Sequence, residues 1–133
     1  MGDGWETRRS RGKNFDWIII KCSSPGKINK IQLDTHHFKG NYPDKCSLQA
    51  AYIPKKISEK NIVKKSNKWA YILNKVKLNA HKKHNFKNKT VKNKNYFTHI
   101  KLNIFPDGGV ARLRIYGSMK IINKVNKQIQ NLT

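Results

Sequence analysis

Cysteine and long apolar runs are both scarce in this chain. Two cysteines, Cys22 and Cys46, are too few for a disulfide framework and stand at no metal-binding spacing, so a reduced, cytoplasmic protein is the simpler reading. No apolar run is long enough to cross a bilayer. Ile18-Ile19-Ile20 is too short for the core of a secretory signal. Asp3, Glu6 and Asp16 precede it, where such a signal carries positive charge. At 133 residues the chain makes one domain, able to bury roughly two-thirds of its unfolded surface without staples.

Acids are scarce as well: 7 Asp and Glu face 29 Lys and Arg, for a net charge of +22. Taken alone that charge suggests nucleic acid or an acidic membrane. Arginine, however, is also rare. Only five of the 29 are arginines, in two clusters (Arg8, Arg9 and Arg11; Arg112 and Arg114), and the rest are lysines scattered among Asn and Ile. Those three residues have AT-rich codons, so drift of solvated positions toward lysine accounts for most of the charge. The expectation is weak, salt-dependent polyanion contact, with no specific nucleic acid and no membrane as partners.

What the chain does have is alternation. Ile100, Leu102 and Ile104 alternate with polar neighbours, as do Ala111, Leu113 and Ile115, which is the period of half-buried strands. The Pro106-Asp107-Gly108-Gly109 turn between them reads as a tight hairpin. Arg112 and Arg114 then share one face, a fork fit for a carboxylate. Asp16–Lys21, Ile28–His37, Cys46–Tyr52 and Trp69–Leu73 read as further strands, the first buried on both faces, with Ser24-Pro25-Gly26 as a turn. Residues 53–68 read as a lysine-rich loop, and about 75–94 as a solvated lysine-rich insertion. Residues 118–133 read as a basic tail or short helix, from Ile122, Val125, Ile129 and Leu132. This predicts an all-β antiparallel sandwich over 1–117.

Polar clusters fall at strand ends and turns, where sites are built. They are Asp3, Trp5, Glu6, Arg8 and Arg9; His36, His37, Lys39 and Asn41; and Asn103, Asp107, Arg112 and Arg114. Each also has a structural explanation. Asp107-Gly108-Gly109 suits any tight turn, and the arginines suit the wet face of any antiparallel strand. On a strand, adjacent His36 and His37 face opposite ways, and His36, level with Asp34, is the better functional candidate.

In order and spacing, four blocks resemble the allantoicase family: Asp3 to Arg9, Asp16 to Ile19, Asp34 to Pro43 and Leu102 to Arg114. The resemblance implies a jelly-roll sandwich similar to galactose-binding and discoidin-type domains. It also implies hydrolysis of allantoate to ureidoglycolate and urea in allantoin (purine) catabolism. On that basis His36, Asp107 and Glu6 are the expected acid and base groups. Arg112, Arg114, Lys39, Asn41, Asn103, Arg8, Arg9 and Asp3 are the expected substrate contacts, and a divalent metal is left open. Family members carry two such repeats. This sequence carries one and starts on the motif, with the preceding strand absent. A second repeat or a homo-oligomer is therefore expected as partner, and a gene fragment, a split subunit and a decayed copy stay open. The alternative is a discoidin-like module that binds carbohydrate or polyanion without catalysis.

Overall fold

The computed structural model describes residues 5–6, 15–36, 38, 40–87, 96–117 and 125–130. One long strand organises the fold. β2 (Asp16–Asp34) takes part in two sheets: it pairs β6 (Tyr96–Phe105) as far as Lys27, with an irregularity between Lys21 and Gly26, and pairs β8 (Arg112–Gly117) of the other sheet from Ile28 onward. Its first half lies between β6 and β9 (Val125–Gln130). Beyond β6 come β3 (Lys45–Ala51) and β4 (Ala70–Lys77), giving the order β4-β3-β6-β2-β9. The second half of β2 lies between β5 (Lys83–Phe86) and β8. All these pairings are antiparallel. Two-residue β1 (Trp5–Glu6) pairs with β7 (Gly109–Val110).

The expected β-sandwich is present, but several local expectations fail. Ser24-Pro25-Gly26 is not a turn: it continues β2 through the bulge, a place where a missing proline N–H is tolerated. Phe97–Gly117 is not a hairpin, since β6 pairs with β2 and β3 while β8 pairs with the other half of β2. Each of the two strands has one apolar face, and those faces meet across the core instead of lying side by side. The tail supplies a strand at 125–130 in place of the short helix, because the edge beside Ile18–Cys22 offers its backbone a partner.

Alternation sets the core. Ile31, Leu33 and Ile115 from the smaller sheet meet Leu48, Ile72, Ile100, Leu102 and Ile104 from the larger one, all buried. Ile18 joins this core while Ile19 turns to a second cluster on the outer face, with Ile62 and Trp69, so the Ile18–Ile20 run is indeed buried on both sides. That outer cluster explains α1 (Glu59–Ser66), hidden in what reads as a lysine-rich loop. Lysines fill its wet face, and Ile62 packs beside Ile57 and Val63. Leu78, within the expected solvated insertion, is fully buried, and β5 follows it.

Ser58 caps α1, its hydroxyl accepting from the Asn61 N–H at 3.3 Å. Ser58→Ala is expected to cost about 1 kcal/mol, readable as a shifted denaturation midpoint. An unchanged midpoint would show that the outer cluster alone holds the helix.

Candidate functional site

Three loops converge at one rim of the sandwich. The chain leaves β2 at Asp34, whose Oδ1 accepts from the His36 N–H at 2.8 Å, and this closes a turn. His36 is thus in a turn rather than on a strand, so the expectation of alternating His36 and His37 does not apply. Thr35 ties the turn to the 79–82 segment. Its N–H donates to the Lys82 carbonyl at 2.9 Å, and its hydroxyl donates to the Asn79 carbonyl at 2.6 Å. His81, in the left-handed region at φ 48°, lays its ring 3.9 Å from that of His36, measured between centroids.

The third loop, 106–111, locks onto the first. The Gly109 N–H donates to the Asn41 carbonyl, and the Ala111 N–H to the Asp34 carbonyl, both at 2.7 Å. A Cβ at Gly109 would run into the Phe38 ring. Across β2 and β8, Asp34 stands opposite Arg112 and Gln32 opposite Arg114. Leu33 and Ile115 face the core. The arginines, Gln32 and Asp34 therefore share the outer face of the smaller sheet. There the Gln32 amide donates to Asn85 Oδ1 at 3.0 Å, and Arg114 Nε is buried with no hydrogen-bond partner.

The rim thus gathers His36, Asn41, Asp107 and Arg112, with the backbone of Glu6 paired to Gly109. Arg114 follows one pair along the same face. Asn103 is not among them. It faces the outer side of the larger sheet, where its amide donates to Ser47 and Gln49, so the core separates it from the arginines. Asp3, Arg8, Arg9, His37 and Lys39 lie outside the described residues. Among the described residues, no three His, Cys, Asp or Glu side chains are grouped to hold a metal ion. Nor is any helix there long and apolar enough to cross a membrane. Both cysteines are free and buried.

Sequence reasoning missed Asp34, Thr35 and His81, and the Gln32–Asn85 amide pair. The Asp34-Thr35 pair before His36 carried a turn signal. Nothing local marks His81 or Asn85, which are 45 or more residues from their partners.

His84, behind this rim, is neutral by construction. Its Nε2 accepts from the Asn79 N–H at 2.8 Å, which leaves Nδ1–H to donate to the Leu33 carbonyl at 3.1 Å. Burial, the main cause, pulls its pKa below the usual histidine value. The Leu33 carbonyl opposes this and Lys82 adds to it. Burial, then Lys21, does the same for His99. Burial pushes the thiols the other way, Cys22 to about 11 and Cys46 to about 12.

A histidine with a lowered folded pKa takes up its proton first in the unfolded chain. Stability therefore falls as pH drops through about 6.5 and onward to the folded pKa. A thiol with a raised folded pKa ionises first in the unfolded chain, so stability also falls above about 8.5. Denaturant midpoints across pH should form a plateau near neutrality with losses on both sides. Rising stability toward pH about 5 would contradict the His84 assignment.

Residues 1–120 match the family model described as Allantoicase repeat. The chain is 48% identical over 119 residues to a probable allantoicase of Stutzerimonas stutzeri, covering 90% of this chain and 35% of that protein. To an allantoicase of Dictyostelium discoideum it is 45% identical over 119 residues, covering 90% and 32%. A crystal structure of allantoicase from Saccharomyces cerevisiae superposes with a TM-score of 0.75 at 40% identity, over 86% of this chain and 36% of that one. The chain thus spans about a third of the length of these relatives.

Proposed function

This chain belongs to the allantoicase repeat family, and from that premise we propose that it is one repeat of an allantoate-hydrolysing enzyme, acting with a second repeat or a second copy. The observation that carries the site assignment is the row on the smaller sheet. Arg112 and Arg114 stand side by side, and Asp34 and the His36 turn close its end.

The chemistry follows from the substrate. Allantoate is a carboxylate whose α-carbon bears two ureido groups. Water displaces one ureido group from that carbon: a C–O bond forms, one C–N bond breaks, and ureidoglycolate and urea result. Arg112 and Arg114 hold the carboxylate by charge-assisted hydrogen bonds. Gln32 and Asn85, hydrogen-bonded to each other on the same face, offer amide groups to a ureido group. His36 delivers the proton to the departing nitrogen, and Asp107 or Glu6 takes the proton from the attacking water. The short share of its relatives' length covered by this chain supports a site completed by another repeat.

Urea release from allantoate tests the reading, using the purified chain alone and mixed with the other repeat of a two-repeat relative. Turnover in the mixture, or in an oligomer of this chain, is the expected result. Failure of both, with folded protein, rejects it.

A further inference from the structure

The outer face of the larger sheet carries a cavity of about 360 Å³, between β4, β3 and β6. Its floor is polar and largely sealed: Asn103 is 2% exposed and Lys101 4%. Asn103 Nδ2 donates to Ser47 Oγ at 3.2 Å and to Gln49 Oε1 at 3.0 Å. The Gln49 Nε2 is committed in turn to the Asn67 and Trp69 carbonyls. Within this network Asn103 Oδ1 is buried with no partner. An unmet amide oxygen of this kind calls for an N–H or O–H donor.

The cavity's charge is one-sided. Lys101 and Lys75 line it, and no acid does among the described residues. Lys101 Nζ donates to Ser66 Oγ at 2.9 Å and lies 4.9 Å from the Trp17 ring, which leaves two of its three N–H donors uncommitted. Burial pulls its pKa down, so an anion beside it would relieve an unfavourable charge. Lys75, at the mouth, sits over the Phe105 ring at 4.0 Å. The volume suits a small ligand.

We propose that this cavity is a second ligand site, separate from the rim, for a small carboxylic acid that also carries a primary amide or ureido NH₂. The NH₂ donates to Asn103 Oδ1, and the carboxylate accepts from Lys101 and Lys75. The assignment stands on this network and does not rest on catalysis at the rim.

N-carbamoylglycine is a suitable probe, with urea and acetate as its two halves, titrated against the ¹⁵N side-chain amide signals of the full chain. Saturable shifts at Asn103 and Gln49 with N-carbamoylglycine, and much weaker ones with either half, are expected. Lys101→Met should weaken binding roughly ten- to a hundredfold. Lys75→Met, at an exposed position, should weaken it in the same direction and serves if Lys101→Met does not fold. Arg112→Gln, across the core, should leave it unchanged. Shifts that never saturate mean water alone meets Asn103 and overturn the proposal. Binding lost in Arg112→Gln but kept in both lysine variants would overturn it too, since the ligand would then be at the rim. The titration does not depend on urea release, so failure of the rim as a catalytic site leaves it intact.

Discussion

His36→Ala is expected to lower kcat for allantoate by about 10²–10⁴-fold while changing KM little. A group that hands a proton to the departing nitrogen acts in the transition state and contributes little to holding the substrate. Arg112→Gln and Arg114→Gln should behave differently. A charge-assisted hydrogen bond to the substrate carboxylate is equally good before and during reaction. Its loss should raise KM roughly ten- to a hundredfold with kcat nearly kept. Initial-rate measurements of urea release, on assembled and folded variants, separate the two patterns. His36→Ala with a wild-type kcat removes histidine from the chemistry. Arginine variants with a wild-type KM move the carboxylate elsewhere. A fall in kcat alone for Arg114→Gln would show that Arg114 positions the sheet rim instead of the substrate.

Gly108→Ala is expected to damage the same rim through the backbone. Gly108 sits at φ 132°, where an L side chain is strained, and a Cβ there would come within 2.7 Å of Asn41 O, Tyr42 C and Pro43 N. Those are main-chain atoms and cannot swing aside. The backbone conformation alone costs about 1–3 kcal/mol. Pushing the 41–43 segment away also breaks the Gly109–Asn41 bond that joins the two loops. A melting temperature lower by at least about 4 °C is expected at this length, with a larger loss of urea release. Gly40→Ala is the control: it lies in the same loop with nothing within 4 Å of its Cβ. Equal melting temperatures for the two variants would show that the 106–111 loop does not depend on this close approach.

The alternation of Ile100, Leu102 and Ile104, and of Leu113 and Ile115, makes the strands and their apolar faces legible from residue order alone. The placing of Arg112 and Arg114 on one face is legible in the same way, since period two follows from strand geometry wherever a strand pairs. What periodicity cannot carry is the identity of the neighbour. Phe97–Gly117 has the pattern of a hairpin, yet its strands join different halves of β2, because two apolar faces bury more surface facing each other than side by side.

The candidate site divides along the same line. That His36, Asp107 and the arginines are candidates for the chemistry was readable from residue type, position near turns and family resemblance. That Asn103, only four residues before Asp107, faces the other side of the sandwich was not, because the turn between them changes sheets. His81 against His36, and Gln32 against Asn85, are encounters between segments 45 or more residues apart. The sequence by itself determined the strands around Ile18–Ile20, Ile31–Leu33, Cys46–Ala51, Ile100–Ile104 and Leu113–Ile115, the shared face of Arg112 and Arg114, and the family, while α1, β5 and β9 went unmarked. Only the tertiary structure decided which wet faces coincide, since this depends on where β2 passes between sheets and which backbone edges remained to be paired.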